Sequence, residues 1–147
     1  MMVTLHDVDI LARTLFGEAR GEYGRSEGGL SALIAVANVV MNRMSEKSWY
    51  GATIAAVCLK PWQFSCWNRA DPNYVIIKER IIDHPIFTIC QGVAEAVAAG
   101  QWPDITKGSN HYHTAEMVRP PDWAREQDPI LRIGRHLFYR LPGNRSS

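Results

Sequence analysis

The sequence is poor in the features that mark the special classes of protein. Cysteine is scarce, with Cys58, Cys66 and Cys90 as the three in 147 residues. Three is an odd number and the spacings are not those of metal-ligand pairs, so small buried hydrophobes are expected rather than a disulfide framework. No apolar run approaches the ~20 residues of a bilayer span, so no membrane insertion is expected. Net charge is small: 16 Lys and Arg against 15 Asp and Glu leave +1 at pH 7. That balance leaves no electrostatic footprint for nucleic acid. Residues 1–9 lack a basic segment followed by an apolar one, so no secretory signal is read there. A Gly-x-Ser-x-Gly elbow and a phosphate-binding loop are both missing, and no cysteine has an evident His/Asn partner set. Nucleophilic serine or cysteine catalysis is therefore not suggested. No internal repeat, low-complexity tract or linker divides the chain.

What is present is an ordinary globular balance, 46% hydrophobic and 21% charged, in a length that suits one domain with a real core. We expect an ordered core over about residues 5–140 and a frayed tail at 141–147. Val8, Leu11, Ala12, Leu15 and Phe16 form a helical stripe, and Thr4 with Asp7 fits a helix start, which predicts a helix over 5–16 or slightly beyond. Residues 27–44 repeat the spacing with Leu30, Leu33, Ile34, Ala37, Val40, Met41 and Met44. This most apolar segment is the expected central helix, with Ser26 as its cap. A short helix is expected over 53–59, and another over 72–83 with Tyr74, Ile77 and Ile81 on one face. A third begins at His84-Pro85, carries Phe87, Cys90, Val93, Ala94 and Val97, and stops at Gly100. Residues 110–114 and 133–139 are short, aromatic and β-prone, and are read as an antiparallel pair. The fold class is thus mainly α with a small antiparallel β element.

Chemistry concentrates at the junction of the first two helices. Phe16-Gly17-Glu18-Ala19-Arg20-Gly21-Glu22 places two carboxylates and an arginine between buried helices. Its glycines are read as breaks that let another chain or a ligand approach. A carboxyl partly shielded by apolar packing holds its proton longer than a solvated one, which is what a general acid working near neutral pH needs. Glu18 is the candidate acid. Glu22 would share its face if the helix continued. The bland alternative makes both solvated helix-end charges paired with Arg20 or Arg25.

Other segments could form a binding surface. Residues 61–68 crowd Trp62, Phe64 and Trp67 among amides, including Gln63. Such a segment either plugs the core or stacks on pyranose rings while its amides bond hydroxyl and N-acetyl groups. Asn38 and Asn42 in the central helix either tie a loop or face a cleft, and Asn38 is kept as a candidate substrate ligand. His111 and His113 share one side of a strand at a spacing that could bind a metal, although no further His or Cys completes a ligand set.

With these residues collected, the chain resembles the SleB/CwlJ family of cell-wall hydrolases. The likeness rests on residues 12–22, on 35–43 with its Asn-Arg, on Gln63-Phe64-Ser65, and on His111-Tyr112-His113 followed by residues 133–138. It implies a lysozyme-like, lytic-transglycosylase-like domain acting on peptidoglycan glycan strands without a cofactor, with Glu18 at the catalytic position. Gln63, Phe64, Trp67, Tyr112 and His113 would line the sugar cleft, with Trp62 beside them. The implied reaction cuts between N-acetylmuramic acid and N-acetylglucosamine with a 1,6-anhydro product. A hydrolytic version would ask for a base such as Glu22. An amidase with His111 and His113 as metal ligands, and a binding module without catalysis, are the competing readings. The spore enzymes of the family carry an exported N-terminus and peptidoglycan-binding repeats. Without these features the chain looks like a phage or prophage lysin, expected as a monomer in the cytoplasm until it is released to the wall.

Overall fold

The first helix, α1 (Leu5–Tyr23), starts on the expected capping box. Thr4 Oγ1 accepts from Asp7 N at 3.0 Å, and the Asp7 carboxylate accepts from Thr4 N at 3.0 Å. Asp7 also accepts from Ala55 N at 3.0 Å, which ties the start of α1 to α3 (Ile54–Leu59) and explains its burial. The computed structural model describes residues 2–47 and 49–142.

α1 is 19 residues long and runs unbroken through Gly17 and Gly21, past the expected end at residue 16. Gly17 serves close packing and does not interrupt the helix. A Cβ there would stand 2.7 Å from Cys66 Cβ and 2.9 Å from its Sγ, so glycine is what lets the 61–67 segment lie directly on the helix. The second helix, α2 (Gly29–Ser45), has Gly28 rather than Ser26 at its cap position, without a side-chain capping bond. Gly28 lies against the Glu22 carbonyl with no room for a Cβ, because the end of α1 and the start of α2 are pressed together there. α2 is the central helix, as expected. Leu33, Val36, Ala37 and Val40 enter the main core, while Ala35 and Val39 pack on Phe138 of the sheet. An apolar surface on more than one side is what burial between layers requires.

The expected 72–83 helix shortens to a single turn, α4 (Tyr74–Ile77). The Arg13 guanidinium donates to the carbonyls of Ile77 at 2.7 Å, Glu79, and Arg80 at 2.9 Å. Gathering those carbonyls on one cation takes them out of line for a helical ladder, and Ile81 is left 75% exposed. α5 (Pro85–Ala98) opens with His84 Nδ1 accepting from Ile86 N at 3.0 Å and buries the predicted stripe against α1 and α2.

Three strands, β1 (His111–Thr114), β2 (Leu131–Ile133) and β3 (His136–Tyr139), form an antiparallel sheet in the order β1-β3-β2. The segment read as one strand over 133–139 is a hairpin end, turned at Gly134-Arg135 with Gly134 at φ +58°. Tyr112 stands opposite Phe138, and Thr114 opposite His136. The protein is therefore mainly helical with a small antiparallel sheet. Of the expected tail, residues 143–147 lie outside the described residues, while Leu141 N donates to Asn110 Oδ1 at 2.9 Å.

Candidate active site

Three elements meet around Glu18. The middle of α1 supplies the carboxylate, the 61–67 segment makes one wall, and β1 with β3 makes the other. Between them lies a cleft of about 320 Å³ lined by Glu18, Arg43, Trp62, Gln63, Tyr112 and His136, with His113 and Met117 also at its edge. Glu18 is the sole carboxylate among its described lining residues. The Tyr112 hydroxyl donates to Glu18 Oε1 at 2.5 Å and Cys66 N donates to Oε2 at 3.1 Å. Two donors from opposite walls hold the carboxylate in one orientation. Burial, and then the neighbouring Glu18 charge, push the Tyr112 phenol well above its usual range, so it keeps its proton and acts as the donor.

Glu22, one turn further along α1, does not line this cleft. It is 4% exposed and lies beneath the β2–β3 turn. Arg135 N donates to its Oε1 at 2.9 Å, and the Arg135 side chain reaches Oε2 at 2.6 Å. Burial opposes ionisation of Glu22, but the Arg135 donors and the Arg135 charge outweigh it and hold the carboxyl below its ordinary value. A Cβ at Gly134 would come within 2.7 Å of Glu22 Oε1, so the turn closes on the carboxylate as tightly as a glycine permits.

The predicted ligands separate. Gln63, Tyr112 and His113 reach the cleft, and Trp62 stands at its mouth, 82% exposed with φ +69°. Phe64, Trp67 and Asn38, expected as substrate ligands, do not line it. Phe64 is a core residue, 2% exposed, with the Arg43 guanidinium 5.0 Å from its ring centroid. Trp67 faces another side of α1, its Nε1 donating to Thr14 Oγ1 at 2.8 Å. Asn38 accepts from Ile105 N at 3.0 Å, and Asn42 Nδ2 donates to Asp104 and to Ser109 O at 2.9 Å, so both amides fix the 104–109 loop.

Besides Ser65, Thr114 and Met117, two buried polar lining residues were missed as site residues. Arg43, buried near the end of α2, donates from Nε to Asn110 O at 2.7 Å and from a terminal nitrogen to Gln63 Oε1 at 3.3 Å, and stacks over Tyr50 and Phe64. Among the described residues no carboxylate forms an ion pair with it. Its signals in the sequence were a cation within the most apolar helix and its place in the Asn-Arg of the 35–43 block. His136 is the other. It falls in the 133–138 block that carries the resemblance, but its residues read as an ordinary aromatic strand.

The histidines of β1 are committed to the sheet. The Thr114 carbonyl can only accept, so His113 Nδ1 carries the proton that bonds it at 2.9 Å, and Nε2 accepts from the Tyr139 hydroxyl at 2.9 Å. His111 Nδ1 donates to Asn110 Oδ1 at 2.9 Å, and its ring packs on Trp123. Burial, with Arg43 adding to it, pushes His111 down to about 4. Among the described residues no three His, Cys, Asp or Glu side chains are grouped as metal ligands. The cysteines are buried and unpaired. Burial raises the Cys58 and Cys90 thiols to about 12, far from a reactive thiolate.

Comparison with known proteins agrees with this architecture. The catalytic domain of the Bacillus cereus SleB protein superposes with a TM-score of 0.66 at 21% identity, covering 93% of this chain and 91% of that one. The spore cortex-lytic enzyme of Bacillus subtilis (strain 168) is 26% identical over 133 residues, which are 90% of this chain and 37% of that protein. The chain thus spans little more than a third of the curated relative. The sequence pattern of the Cell Wall Hydrolase family matches residues 28–139, from the start of α2 to the end of β3. The chain belongs to the cell wall hydrolase family.

Proposed function

We propose that this protein cleaves peptidoglycan glycan strands between N-acetylmuramic acid and N-acetylglucosamine as a lytic transglycosylase, with Glu18 as general acid and then base. The observation that carries this reading is the single carboxylate of the cleft. A hydrolytic glycosidase commonly places two carboxyls across the bond, and the only other candidate on α1 is held away by Arg135. A reaction that uses a hydroxyl of the substrate as nucleophile needs one. The family match begins at residue 28, beyond Glu18, so the assignment of the acid rests on the cleft.

Protonated Glu18 gives its proton to the bridging oxygen as the bond from muramic C1 to that oxygen breaks. Tyr112 and the Cys66 amide then hold the carboxylate that remains. That carboxylate takes the proton of the muramic 6-hydroxyl, whose oxygen bonds to C1. The product is a 1,6-anhydro end, no water is consumed, and Glu18 is protonated again. Trp62 offers an apolar face to a pyranose ring at the cleft mouth, and Gln63, oriented by Arg43, offers its amide to the sugar's polar groups.

The test is mass spectrometry of muropeptides released from purified sacculi, with and without EDTA. Products one water lighter than muramidase products, unaffected by EDTA, are expected. Hydrated reducing ends overturn the transglycosylase step. Released stem peptides with intact glycan overturn glycosidic cleavage altogether.

A further inference from the structure

His136 carries an unmet hydrogen-bonding need at the cleft wall. It begins β3, paired with Thr114 on one side and Ile133 on the other. Its ring lies 4.8 Å from the Tyr112 ring and lines the same cleft as Glu18. The residue is 7% exposed, and Nδ1 is fully buried without a partner. Among the described residues neither ring nitrogen of His136 has a hydrogen bond. Its neighbours contrast with it: Glu18 has a donor on each oxygen, and His113 is bonded through both nitrogens. Native proteins leave few buried polar groups unpaired, and the second ring nitrogen, Nε2, lacks a protein partner among the described residues in a residue that lines the cleft.

The tautomer follows from cost. A buried N–H without an acceptor is worse than a buried lone pair without a donor. The proton therefore sits on Nε2, leaving the bare lone pair on the enclosed Nδ1. Burial, the largest influence, also keeps the ring neutral. His136 is then a pure donor toward the cleft. Sugar hydroxyls both give and accept, but the carbonyl of an acetamido group only accepts. Met117 and Trp62, on the same cleft, supply apolar contacts for the acetyl methyl.

We infer that His136 Nε2 donates to the acetamido carbonyl of the bound amino sugar and so selects N-acetylated glycan. This rests on the glycan reading above. The experiment measures binding, which does not depend on the bond cut. In the E18Q background, Kd is measured calorimetrically for soluble glycan chains and for the same chains after de-N-acetylation. The parent is expected to prefer the acetylated chains by about tenfold, the scale of one hydrogen bond. E18Q/H136N, whose amide sits at the Nδ1 position, loses this preference. E18Q/H136Q, whose amide reaches the Nε2 position, recovers it. The ammonium created by de-N-acetylation is common to all three proteins, so it cancels in the comparison, and melting temperatures confirm that each is folded. A preference retained in both His136 variants, or lost in both, overturns the assignment. If E18Q binds neither chain, the glycan reading itself falls.

Discussion

Glu18 and Glu22 share one helix, one residue type and nearly one face, yet they live in different chemical worlds. Glu18 meets neutral donors, the Tyr112 phenol and the Cys66 amide, and borders an open cleft. Glu22 meets a guanidinium and a tight turn and is closed over. The helix is the same for both, and what packs across from each decides its use. A carboxylate closed over by a cation is held ionised and serves as an anchor, and one that borders an open cleft can meet a substrate. Glu22 fixes the turn that leads into β3, and β3 in turn carries β1 and Tyr112 up to Glu18. The second carboxylate positions the sheet that positions the first.

The largest expected effect separates the two directly. Glu18→Gln should lower glycan cleavage by roughly 10²–10⁴-fold, the usual contribution of a general acid, with an unchanged melting temperature. Glu22→Gln should do the reverse. It removes the charge from a buried pair and should lower the melting temperature, on the order of 5 °C, while the protein that remains folded still turns over. Activity assays on sacculi with parallel thermal melts check both. If Glu22→Gln abolishes turnover without loss of stability, Glu22 is a reacting group and its contrast with Glu18 fails.

A smaller effect sharpens the Glu18 half. Tyr112→Phe keeps the ring that packs on Phe138 and His136 and removes only the hydroxyl that orients Glu18. The expected loss is about tenfold in kcat, the scale of one hydrogen bond, with little change in KM. A loss confined to KM would move Tyr112 from orienting the acid to contacting substrate.

Much of this arrangement is legible in the chain. The stripes of α1, α2 and α5, the Thr4 capping box and the His84-Pro85 start are local patterns, and they appear where 3.6-residue spacing puts them. Glu18 stands out in the sequence because it sits between two such stripes, and it borders the cleft. The misreadings share a cause, which is that the deciding partner is far away in sequence. Gly17 and Gly21 look like breaks until Cys66 is seen pressed against Gly17. Residues 78–83 look helical until Arg13 claims their carbonyls. Trp67 looks like a sugar platform until Thr14 takes its indole N–H. Glu22 looks like a neighbour of Glu18 in one cleft until Arg135, 113 residues on, closes over it. Arg43 and His136 carry no periodic signal, since their importance lies in which surfaces meet around them.

The smallest effect tests whether Glu22 is held charged at all. Its folded carboxyl lies below its ordinary value of 4.5, so on acidification the unfolded chain takes up this proton first and stability falls with pH in that range. The contribution is complete above about pH 5.5 and is lost as pH drops through the lowered value. Asp7 and Asp104 also sit below the usual carboxylate range: burial opposes their ionisation, but their hydrogen-bond donors outweigh it. They add to the same acid limb. His111 contributes in an earlier window. With its folded value near 4 against 6.5, the unfolded chain gains a proton there that the folded one refuses, so stability already declines between those values. Melting temperatures of wild type and Glu22→Gln should therefore run parallel above about pH 5.5 and converge as pH falls through the lowered Glu22 value, where wild-type Glu22 takes up its proton too. Curves that stay parallel to the lowest pH would mean that Arg135 gains nothing from the charge. The anchor would then be one of shape alone, and the electrostatic half of the contrast with Glu18 would fall.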